Sequence, residues 1–167
     1  MQEVVFRMMT RAIQNKSPGN EIVQRDVQIE TKAVDEASRS VDLSFSSEDA
    51  YDRYFGPEIL GHSTGEVELG RLQAIGVALW NHHSDVPIGR LSEIRLDEST
   101  RKCRAKVTFD DDPESDRIFR KVKSGTLRGV SVGYRVNVWE EVKAGKTSTC
   151  GRHTGPCWIA RKWEPLE

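Results

Sequence analysis

Apolar residues recur along this chain mostly at a period of two. Val41, Leu43 and Phe45 alternate with Ser40, Asp42 and Ser44, the pattern of a strand with one buried face. Residues 88–96 are read as a further strand, and the same rhythm runs through Ala105, Val107 and Phe109 and most strongly through Val130, Val132, Tyr134, Val136 and Val138. The run 75–80 is short and apolar on both faces, and is read as a central strand leading straight into Asn81-His82-His83. Two helices are predicted. One starts at Ser46 or Ser47, sets Glu48 and Asp49 near its positive end, and places Tyr51 and Phe55 on one face before Gly56-Pro57 stops it. The other opens at Asp112-Pro113-Glu114, a capping side chain followed by proline, and turns Ile118, Phe119 and Val122 inward before Gly125. Residues 1–26 show no sustained period and read as a flexible arm or a loosely attached first strand, whose removal should not unfold the rest. Residues 143–155 read as a loop, and the rhythm that resumes at Trp158 stops abruptly at Leu166-Glu167, as though the chain were cut. The expectation is a mostly β protein with flanking helices (α+β): an arm over 1–26, then one domain over 27–167, truncated at its C-terminal end.

Length and charge narrow the classes of function. A chain of 167 residues holds one core, and 25 Lys+Arg against 26 Asp+Glu leave a net charge of -1, which argues against a surface built to attract nucleic acid or anionic lipid. A composition 37% hydrophobic and 31% charged suits a folded chain and not a disordered one. The apolar run near residue 75 falls far short of the roughly 20 residues that cross a bilayer, and Glu3, Arg7 and Arg11 break any secretory signal, so an intracellular protein is expected. Cys103, Cys150 and Cys157 are an odd number and read as free thiols.

Few residues invite chemistry. Gly129-Val130-Ser131-Val132-Gly133 has the form of a nucleophile elbow, but that motif needs a strand, a sharp turn and a helix, and here the strand period runs on through it. Ser131 instead sits mid-strand, flanked on its own face by Gly129 and Gly133, so a peptide could approach its hydroxyl closely; a small-residue face packed under another element is the plainer alternative. His82 or His83, just past the strand at 75–80, is well placed as the base that a serine nucleophile requires, although a lone histidine there is more often a surface residue. Cys150, His153, Cys157 and Cys103 could in principle ligate zinc, but their spacing is not a common paired-cysteine form, and they read as ordinary loop and core residues. Arg120, Lys121, Lys123 and Arg128 suit the C-terminal end of the second helix.

Taken together, several blocks resemble the prohead proteases of tailed bacteriophages, particularly those made as an N-terminal fusion to the major capsid protein. The blocks are Arg39-Ser40-Val41-Asp42-Leu43-Ser44-Phe45-Ser46-Ser47, Tyr54-Phe55-Gly56-Pro57-Glu58-Ile59-Leu60, Leu79-Trp80-Asn81-His82 followed by Pro87-Ile88-Gly89-Arg90, and Gly129-Val130-Ser131-Val132-Gly133-Tyr134. The resemblance implies an antiparallel barrel similar to the herpesvirus assemblins, with Ser131 as nucleophile. It selects His82 over His83, five residues before Pro87, and Glu167, in Trp163-Glu164-Pro165-Leu166-Glu167, as the third member. His153 and Glu164 are rivals for that third place. The implied activity is a serine endopeptidase, without cofactor, that cleaves scaffold and major capsid protein segments and itself inside the assembling prohead in the host cytoplasm, with possible self-association and with neither nucleic acid nor membrane as partner. The contrasting expectation is an inactive protease-like module that scaffolds the shell.

Overall fold

The alternating stretches pair as their buried faces require, as a computed structural model of the chain shows for residues 17–28 and 34–167. The elements in order are β1 (Val23–Gln28), β2 (Val34–Asp35), β3 (Ser40–Ser47), β4 (Tyr51–Arg53), β5 (Gly56–Leu60), α1 (Gly70–Ile75), β6 (Val77–Leu79), β7 (Pro87–Asp97), β8 (Lys102–Phe109), α2 (Pro113–Lys123), β9 (Gly129–Val142) and β10 (Cys157–Pro165). They form two five-stranded sheets, ordered β1-β9-β10-β5-β4 and β2-β3-β8-β7-β6. The named strands pair antiparallel except β10 with β5. The result is the mostly β, barrel-like α+β architecture expected. Its core joins Val41, Leu43 and Phe45 of β3 with Ala105 and Val107 of β8, Val132 and Tyr134 of β9, and Ile118, Phe119 and Val122 of α2. Asp112 caps α2, its carboxylate accepting from the N–H groups of Glu114 and Ser115. Among the described residues no helix is long and apolar enough to cross a membrane.

Two expectations are corrected. No helix follows Ser46. The Ser47 hydroxyl donates to Asp49 Oδ2 at 2.7 Å and so closes a local turn, and the chain enters the β4–β5 hairpin, which turns at Tyr54-Phe55 and re-enters the sheet at Gly56 with φ of 116°. The run at 75–80 is not a central strand. Ile75 ends α1, and β6 is a three-residue edge strand, so Ile75 and Val77 stay 61% and 41% exposed. β1 pairs with β9 over six residues and carries the buried side chain of Arg25. Arg25 donates to the Asp49 carbonyl and lies in the field of a polar cluster in which the Tyr134 hydroxyl donates to Glu58 and Arg53 donates to the Tyr134 hydroxyl at 2.8 Å. Burial, reinforced by the charge of Glu58, holds the Tyr134 phenol above its ordinary pKa, and burial lowers that of Arg25.

Candidate active site

β6 and β7 are joined by a tight loop that aims His82. His83 N–H donates to the Trp80 carbonyl at 3.0 Å, closing a turn whose central residues Asn81 and His82 both have positive φ, 52° and 58°. Left-handed backbone suits asparagine and tolerates histidine, but two such residues in succession store strain, which clusters at functional sites. The guanidinium of Arg117 on α2 lies 5.8 Å from the Trp80 ring and braces the start of the turn.

From this turn His82 reaches the end of the chain, where its Nδ1 lies 2.8 Å from Glu167 Oε1. Glu167 is held there by the strand ladder. Beyond β10, Leu166 N–H donates to the Gly133 carbonyl at 2.7 Å and Gly133 N–H to the Glu167 carbonyl at 3.3 Å. Gly133 also clears room for the carboxylate, since a Cβ at that position would sit 2.7 Å from Glu167 Oε1. His82 and Glu167 are both half-buried, at 17% and 24% side-chain exposure, a setting in which a carboxylate can fix one tautomer of an imidazole.

Ser131 lies on β9 two residues before Gly133, and lines with His82 and Glu167 one cavity of about 470 Å³. Ser131 and His82 make no direct hydrogen bond. Opposite Ser131 on the neighbouring strand stands Asp26, and β1 covers this edge of β9 from Gly129 to Tyr134. The structure therefore brings Ser131, His82 and Glu167 together around one space. It leaves the rivals elsewhere: His153 Nε2 is 3.4 Å from Glu48, Glu164 pairs with Arg135 at 3.1 Å, and neither lines this cavity. Cys103 packs in the main core and Cys157 in a smaller cluster with Ile59, Val142 and Ile159. The roles of Asn81, Gly133 and Asp26 were not read from the sequence. Asn81, between two strand runs, was a turn signal that could have been weighed; the other two depend on pairing across the sheet.

A family model described as caudovirus prohead serine protease matches residues 28–153, more than half of the chain. The chain belongs to that family. The match includes His82 and Ser131 and stops short of Glu167. Two curated proteins are similar. The major capsid protein of Halomonas phage phiHAP-1 is 35% identical over 95 residues, 55% of this chain and 16% of that protein. The capsid polyprotein of Pseudomonas phage PAJU2 is 28% identical over 69 residues, 38% of this chain and 10% of that protein. The chain thus spans only a small part of the length of these relatives. No solved structure matches.

Proposed function

We propose that this prohead protease family member is a serine endopeptidase that cleaves scaffold or capsid protein segments during capsid maturation. The observation that carries the reading is the hydrogen bond from His82 to Glu167 at the opening of the cavity that Ser131 also lines. With Nδ1 engaged by the carboxylate, His82 Nε2 is the nitrogen left to take the Ser131 proton. The Ser131 oxygen then attacks the scissile carbonyl, and His82 returns the proton to the leaving amine; a second cycle with water frees the acyl group. Glu167 holds the tautomer and favours the imidazolium between these steps. Substrate binding would close the Ser131–His82 contact, since catalytic hydrogen bonds are often long before substrate binds. The relatives named as capsid proteins suggest the substrates, which this chain would meet inside the assembling shell in the host cytoplasm. The loop after β9 is pinned by bridges between Ala144 and Gly155 and between Thr147 and Thr154, which disfavours it as a site of self-cleavage.

A fluorophosphonate probe should label the chain once, at Ser131. Ser131→Ala should abolish labelling while leaving the circular dichroism spectrum intact, and His82→Ala should slow it by about 10²–10⁴-fold. Undiminished labelling in Ser131→Ala would dismiss the assignment. A folded parent that neither labels nor cleaves would favour the non-enzymatic scaffold.

A further inference from the structure

The cavity beside Ser131 is larger than a serine, a histidine and a carboxylate require. At about 470 Å³ it falls within the range of ligand pockets, whereas native cores hold few voids bigger than a water molecule. Its polarity is divided. Asp26, Asn81, His82, Ser131 and Glu167 stand where it opens to solvent, and Phe45, Leu72, Ala105, Val107 and Ile118, each at most 7% exposed, form its interior. Apolar volume kept open in a small core is destabilising unless something fills it in the working state.

We propose that this cavity is the specificity pocket of the enzyme, and takes a large apolar side chain that flanks the scissile bond. The inference rests on the protease reading above and adds the class of substrate. A side chain that enters the cavity past Ser131 and His82 carries its own backbone over the serine hydroxyl, so pocket and nucleophile share one entrance. Interior walls without a charged group reject lysine, arginine, aspartate and glutamate side chains, which would be buried unpaired. A small side chain such as alanine leaves most of the volume empty.

The test uses internally quenched peptides that differ only at the two residues flanking one bond, with the cleaved position read by mass spectrometry. Leu, Met or Phe on one side of the bond should raise kcat/KM about 10–200-fold over Ala, and over Lys or Glu by at least as much. Ala105→Leu fills the interior from β8. It should raise Tm and cut the ratio of kcat/KM for the Phe peptide over the Ala peptide at least about 10-fold. Should that variant not fold, Leu127→Trp, in the half-buried turn after α2, narrows the same cavity from its side. A chain that labels at Ser131 but prefers Ala or charged residues overturns the pocket and spares the protease. Absence of labelling in the parent sinks both.

Discussion

A missing side chain makes the contact between Glu167 and His82 possible. Gly133 has ordinary strand backbone, so alanine there costs nothing in conformation, but its Cβ would stand 2.7 Å from Glu167 Oε1 and the carboxylate would have to leave. Gly133→Ala should therefore lower kcat by about 10²-fold, the scale of a misplaced catalytic group, with little change in Tm. Glu167→Gln should cost a similar factor, and the double variant no more than either alone, because both remove one contact. Additive losses in that cycle would show that Gly133 acts through something other than Glu167. At this scale the sequence was partly legible. Ser131 between two glycines and a histidine at 82 or 83 past an apolar run are candidates from the residues, with His82 chosen only by the resemblance, and their meeting depends on the left-handed turn at Asn81 and His82, which no periodicity announces.

Elements were legible wherever one buried face and one chemical signal agreed. β3, β8 and β9 follow the two-residue alternation, and α2 follows its Asp112 cap and Pro113. The stretch after Ser46 misled because serine and aspartate that can cap a helix can equally close a turn, and pairing with β5 decides between them. The run at 75–80 misled because Ile75 and Val77, though apolar, lie at an exposed edge. β1 was the hardest to see, since its charged Arg25 and Asp26 hide a strand. Arg25 is buried against Asp49 and Tyr51 and lies in the field of Glu58, so β1 is part of the barrel wall. A chain that begins after Gln28 should lose cooperative thermal unfolding and aggregate, because the edge of β9 beside Ser131 is then bare and Glu58 loses a cation in the interior. Retention of a sharp melt in that truncation would return β1 to the status of an arm.

For the molecule as a whole, closure of one sheet on the other is exposed to pH through His62. The residue follows β5 in one sheet, is fully buried, and accepts from Ser46 of β3 in the other sheet at 2.8 Å while its Nδ1–H donates to the Leu60 carbonyl at 2.8 Å. Its ring packs 5.5 Å from that of Trp163 on β10, whose indole N–H donates to the Gly61 carbonyl. Burial lowers the imidazole pKa from 6.5 to about 4, so the folded chain holds His62 neutral across a range in which the unfolded chain is protonated. The sign follows: the unfolded state binds the extra proton between these two values, stability is complete above about 6.5 and falls as the pH drops toward 4, and the shift corresponds to roughly 3 kcal/mol. Carboxylates contribute their own acid dependence, so the test is comparative. Urea unfolding at pH 7.5 and 4.5 should show the parent losing about 2–3 kcal/mol more than His62→Gln, which keeps polar groups at the site but cannot titrate. The variant should be the less stable of the two at pH 7.5, through poorer packing against Trp163, and the gap should narrow or reverse at pH 4.5. Equal losses in the two chains would mean that the clamp between the sheets does not depend on a neutral His62.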